Sequence, residues 1–122
     1  MLYAAIGGMQ LKRWTAYFRI IFPTLKVLKA ARRAEGCIHA ETFKDGDVFF
    51  AVSVWQSKAQ MQSFARSGLH AQLMRMANQH MAVFFNHTQQ FDVVPGREAF
   101  TAAWRDKIAE RDGKGTVGVY RG

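Results

Sequence analysis

The chain has 122 residues, 49% apolar and 21% charged, with 17 basic against 9 acidic side chains and a net charge of +8. That length supports one hydrophobic core rather than two, and that composition excludes a disordered chain. No apolar run approaches the length of a transmembrane helix, a lone cysteine can neither close an internal disulfide nor build a zinc site, and "MLYAAIGGMQLKRW" has no basic segment ahead of an apolar one; a cytoplasmic protein is predicted.

Leu2 to Leu11 is small, apolar and β-branched enough for a first strand, with Gly7-Gly8 marking a weak point or a bulge. Trp14, Tyr17, Phe18, Ile21, Leu25, Leu28 and Ala31 then recur at three- and four-residue steps and predict the buried face of a helix that Gly36 stops. Pro23 inside it predicts a kink or a restart. From Lys12 to Arg33 there are seven basic residues and no acidic one, so the positive charge of the chain is concentrated on this helix. Such a field attracts phosphates, an anionic membrane or an anionic ligand.

Cys37 to Lys44 and Asp47 to Trp55 alternate with period two and are joined by Asp45-Gly46, a hairpin signal because both residues tolerate positive φ. In the second of these strands Val48, Phe50, Val52 and Val54 share one face and Phe49, Ala51, Ser53 and Trp55 the other. Apolar residues on both sides predict a sheet covered on both faces. Ser57 to Gln60 fits a capping box opening a second helix, whose Met61, Phe64 and Ala65 face inward until Ser67-Gly68 interrupts it. A last strand follows within Met81 to Val94, ended by Pro95-Gly96, and Phe100, Trp104 and Ile108 make the stripe of a terminal helix ahead of a loose, glycine-rich tail. The order β-α-β-β-α-β is that of an α+β, ferredoxin-like antiparallel sheet with two helices on one face. We therefore expect a domain over 1–96, followed by a helix and tail over 97–122. The uncovered sheet face most simply meets a second copy, giving a homodimer, while the terminal helix is left free either to clasp that partner or to cover its own sheet.

His70, just after the Ser67-Gly68 break, is the leading candidate for chemistry: an imidazole can exchange protons near neutral pH or ligate iron. It also fits an inert histidine held to a carbonyl at a helix bend. Trp55 is the second candidate, a flat ring beside small neighbours, as the wall of an aromatic or tetrapyrrole pocket would be. His39, His80 and His87 read as ordinary strand or helix residues, although Asn86 or His87 could line a pocket, because polar groups inside an aromatic strand need partners. Glycine-rich phosphate loops, zinc-protease and serine-hydrolase motifs are absent from the sequence. Nucleic-acid binding is not expected, because Val48 to Trp55 lacks the Lys or Arg that base-stacking sheets carry.

The stretch "SVWQSKAQMQSFARSGLH", preceded by "LKRWTAYFRIIFPTLKVLKAARRAEGCIHAETF", resembles the dimeric α+β-barrel superfamily of antibiotic-biosynthesis monooxygenases, and within it the spheroidene monooxygenase-like branch. The resemblance covers roughly Leu11 to Met76. It implies a ferredoxin-like monomer, a homodimer, and a cavity between sheet and helices used for cofactor-free oxidation of aromatics, haem binding and degradation, or haem-dependent carotenoid oxygenation. Haem-degrading members combine an asparagine on the first strand, a tryptophan ending the third and a histidine on the second helix. Trp55 matches, whereas the first strand has no asparagine and His70 stands at another spacing from Trp55. On this resemblance Trp55 and His70 would be catalytic, with His70 also the metal ligand. Arg19 and Lys26 would meet an anionic cofactor such as haem, or hold the helix on a membrane surface where an apolar substrate resides. A non-catalytic dimeric ligand-binding module is the alternative reading.

Overall fold

Strand alternation and helical periodicity are realised in chain order as β1 (Leu2–Leu11), α1 (Trp14–Arg33), β2 (Cys37–Asp45), β3 (Val48–Trp55), α2 (Lys58–Ala65), β4 (Met81–Phe91) and α3 (Arg97–Asp112). The computed structural model describes residues 1–11, 14–68, 71, 75 and 81–112, and the side chains of these except 11, 14–17, 81–84, 111 and 112. The strands form one antiparallel sheet in the order β2-β3-β1-β4. With α1 and α2 as crossovers this is the ferredoxin-like α+β arrangement, extended by α3.

Local chemistry sets the joints. Gly36, at φ 87°, takes the chain out of α1, and Ser57 caps α2: its Oγ accepts from the Gln60 amide at 3.2 Å and donates to Gln60 Oε1 at 3.0 Å. In the β2–β3 hairpin Asp45 pairs with Val48, so the two-residue loop is Gly46-Asp47 rather than Asp45-Gly46. Of these only Gly46 takes positive φ, at 62°, which a turn needing left-handed backbone at its first central position alone requires.

The Gly7-Gly8 pair is neither a weak point nor a bulge. Both residues pair in unbroken register with β3 and β4, and the irregularity of β1 falls at Gln10/Leu11 instead. The glycines are there because neighbours occupy the space of their side chains. A Cβ on Gly8 would lie 2.3 Å from the Trp104 ring, and one on Gly7 would lie 2.7 Å from Asn86 Oδ1.

The buried face of α1 departs in part from the expected stripe. Among its described side chains Ile20, Thr24, Val27 and Ala31 are buried. Of the stripe, Ala31 is buried, Ile21 and Leu28 are half-buried, Phe18 is 61% and Leu25 43% exposed, and the Trp14 and Tyr17 side chains lie outside the described ones. Apolar residues surround this helix, so hydrophobic spacing alone permits two faces. The cations decide between them: Arg19, Lys26, Lys29 and Arg33 share the arc of Phe18, Phe22 and Leu25 and stay in water, so the opposite arc is buried.

Both faces of the sheet are covered, as the apolar parity of β3 requires. The inner face carries α1 and α2. The outer one is covered by the chain's own α3: Ile6, Phe50, Val54 and Phe85 pack with Phe100 and Trp104 in a single buried cluster. Trp104 stands edge-on to Phe50, 5.2 Å between centroids, and its Nε1 donates to the Phe85 carbonyl at 2.8 Å. Arg97 and Arg105 bind Glu41 and Asp45 at 2.7 and 3.1 Å, strapping α3 to the β2 edge. The tail over 113–122 lies outside the described residues.

Candidate functional site

Strand register explains why the inner face is hollow. Across the sheet run two rows of small residues, Thr42–Ala51–Gly7–Asn86 and Ala40–Ser53–Ala5–Thr88. On one side of them comes the row holding Trp55 and Tyr3, on the other the row holding Phe49 and Met9. Successive inward residues stand about 6.6 Å apart along a strand, so the small rows make a floor and the large ones raise its ends. The helices above cannot reach down to fill it. A cavity of about 330 Å³ results, roofed by Thr24, Val27 and Leu28 of α1 and by Met61 and Phe64 of α2.

Trp55 is 1% exposed and forms one wall of this cavity. Its Nε1 donates to Ser53 Oγ at 2.9 Å and its ring lies 5.3 Å from that of Phe64. With its N–H already satisfied, the indole offers a guest a flat apolar surface. The polar groups of the wall are Thr24, Thr42, Ser53, Asn86 and Thr88, with Lys58 and Gln62 of α2. Thr24 is the residue that strand and helix patterns did not reveal as functional. It is 2% exposed, and its Oγ1 has no hydrogen-bond partner. A buried hydroxyl left unpaired costs about 1–3 kcal/mol, so it marks a place where a polar atom is wanted. The available signal was a threonine among Ile20, Val27 and Ala31 on a helical face, which is visible only once that face is known to be the buried one.

The other predicted residues are distributed as follows. His70 and His80 lie outside the described residues. Arg19 and Lys26 are exposed on α1 and are not on the cavity wall, so the structure does not bring them to Trp55. His39 and His87 are on the outer face: His39 Nε2 is 2.7 Å from Glu41 Oε2 and its ring stacks on Phe100, while His87 Nε2 is 2.9 Å from Gln89 Oε1 and its ring stacks on Phe85. Asn86 lines the cavity beside Gly7. Cys37 packs near Ala31, Ala40 and Trp55, and burial pushes its thiol up against the lowering effect of its bond to the His39 carbonyl and of Arg32, disfavouring the thiolate. Among the described residues no cluster of three acidic, histidine or cysteine side chains could hold a metal, and no helix is long and apolar enough to cross a membrane.

A small-residue floor under two helices, on a four-stranded sheet of this order, defines a ferredoxin-like α+β domain with a cavity between sheet and helices. The chain belongs to the monooxygenase af470-like family, whose model matches residues 5–92. Solved structures share the fold at low identity. A protein of Mycobacterium tuberculosis, Rv0793, superposes with a TM-score of 0.70 at 10% identity over 79% of this chain and 100% of its own. An antibiotic biosynthesis monooxygenase gives 0.64 at 17% identity over 78% and 100%. A conserved protein of Methanosarcina mazei Go1 gives 0.67 at 8% identity over 74% and 92%. No curated protein matches the sequence. The family model bears out the monooxygenase-like family that the sequence resembles, and it does not identify the spheroidene branch within it.

Proposed function

We propose that the cavity binds a small, largely apolar aromatic molecule carrying one hydrogen-bonding group, and that the protein oxygenates it with dioxygen. The observation that carries this reading is the unpaired Thr24 hydroxyl on the roof of an otherwise apolar hollow walled by Trp55. In the form of the reaction that needs no cofactor, a substrate methylene gives up two hydrogens. One atom of dioxygen becomes its new carbonyl oxygen, and the other leaves with those hydrogens as water. The described wall contains no carboxylate or imidazole. Its part in that chemistry is to strip water from the substrate, stack it on Trp55 and fix its polar end, while the acidity of the reacting C–H comes from the substrate itself.

The described wall does not favour the haem version: it has no histidine, cysteine or tyrosine to hold iron, and Arg19 and Lys26 stand away from it, while His70 lies outside the described residues. The volume of about 330 Å³ lies at the small end of ligand pockets, which favours a ring system over a long polyene.

Replacing Thr24 tests the assignment in two directions at once. Thr24→Val should raise the unliganded protein's stability to urea by about 1 kcal/mol, because it removes an unpaired hydroxyl. It should also weaken binding of a naphthol about tenfold and leave naphthalene binding unchanged. Ala51→Leu, which fills the floor, should abolish both. Naphthol binding indifferent to both substitutions would refute the site. Dioxygen uptake across a panel of polycyclic phenols that carry a ring methylene tests the catalytic half: no uptake with any of them would leave a ligand-binding module.

A further inference from the structure

The face of α1 that looks away from the cavity contributes no residue to its described wall, and it carries both exposed aromatics and a concentration of cations. At about 100° per residue, Phe18, Phe22, Leu25 and Lys29 fall on one line along the helix, with Arg33, Lys26 and Arg19 beside it, all within an arc of roughly 120°. Phe18 is 61%, Phe22 71% and Leu25 43% exposed. Arg19, Lys26, Lys29 and Arg33 are exposed with them. No acidic residue occurs anywhere from Lys12 to Arg33, so nothing on the helix neutralises this charge.

We propose that this face docks on an anionic phospholipid surface, with Phe18, Phe22 and Leu25 entering the headgroup–acyl boundary and Arg19, Lys26, Lys29 and Arg33 meeting phosphates. Two features single out this partner. Water-exposed phenylalanines in a row are unfavourable unless something apolar receives them, whereas a nucleic acid offers a charged backbone to the cations and nothing to an aliphatic leucine. A second copy docking through the same helix would set cation against cation, while an anionic bilayer complements both the charge and the apolar row. The opposite side of the helix supplies Thr24, Val27 and Leu28 to the cavity. Docking through this face would hold the cavity one helix diameter from a phase where apolar molecules concentrate. The proposal stands whether or not the cavity is catalytic.

Vesicle flotation with the full chain tests it, comparing phosphatidylcholine vesicles with and without phosphatidylglycerol. Binding is expected only to the anionic vesicles and should be lost at high salt, where screening shortens to about 3 Å. Phe18→Ser/Phe22→Ser, which keeps every charge, and Lys26→Gln/Lys29→Gln, which keeps every aromatic, should each weaken it at least tenfold. All four positions are in water, so unchanged melting curves will show that the variants fold. Absence of binding to anionic vesicles, equal binding to neutral ones, or binding untouched by the phenylalanine pair would overturn the proposal. So would tighter binding to a single-stranded oligonucleotide that the phenylalanine substitutions leave unchanged.

Discussion

The two faces of the sheet are built from alternate residues of the same strands, yet one is sealed and the other hollow. In β3 the outward Phe50, Val52 and Val54 are at most 3% exposed against Phe100 and Trp104, while the inward Ala51 and Ser53 leave a cavity over them. In β1 the same division falls between adjacent glycines: Gly8 yields its space to a tryptophan and Gly7 to a carboxamide at the edge of the hollow. Backbone, register and strand order are common to both faces. Side-chain volume alone decides that one face contributes stability and the other holds space for a guest.

The comparison predicts that substitutions of similar kind will cost far more on the outer face. The largest effect is expected for Trp104→Ala, which removes a ring packed on Phe50 and Phe85 and leaves the Phe85 carbonyl without its indole donor. A loss of about 3–5 kcal/mol in urea denaturation is expected. A loss below about 1 kcal/mol, within the range of ordinary surface substitutions, would show that α3 is only loosely laid on the sheet.

The neighbouring glycines sharpen the contrast. Gly8→Ala drives a methyl into a ring fixed by its own hydrogen bond and should cost about 1–3 kcal/mol. Gly7→Ala meets only the tip of the Asn86 side chain, which can swing into the cavity, so its cost should be smaller by at least about 1 kcal/mol. Paired melting experiments on the two variants check this. Equal costs would mean that the inner face is as rigidly packed as the outer.

Much of this division is legible in the sequence, and the rest fails for identifiable reasons. Period-two parity places Phe50 and Trp55 on opposite faces, and the four-residue step of Phe100, Trp104 and Ile108 announces a helix with one apolar side. Which layer that helix covers is not local information. Here it depends on Trp104 finding the gap over Gly8 and the Phe85 carbonyl, contacts far apart in sequence. The buried side of α1 is harder to read, because hydrophobic spacing on a helix apolar nearly all round admits two answers, and only the positions of Arg19, Lys26 and Lys29 exclude one. Thr24 is hidden with it. That Trp55 shares a face with the small Ala51 and Ser53 is, by contrast, legible from strand parity alone.

The smallest predicted effect concerns the edge at which α3 is fastened. Glu41, 16% exposed at its side chain, bonds both His39 and Arg97. Burial works to raise its carboxyl, and the His39 and Arg97 hydrogen bonds with their charges outweigh it, so the group is held below the usual glutamate range. A carboxyl whose folded pKa is depressed stabilises the fold above its unfolded pKa of about 4.3 and loses that contribution as pH falls through the lower folded value. Arg97 is 62% exposed, so solvent screening limits the effect to about 0.5–1 kcal/mol. Glu41→Gln should therefore be less stable than the parent at pH 7 by that amount, with the two melting curves converging below about pH 4. A gap that persists undiminished into acid would mean that Glu41 acts through packing on the α3 edge and not through its charge.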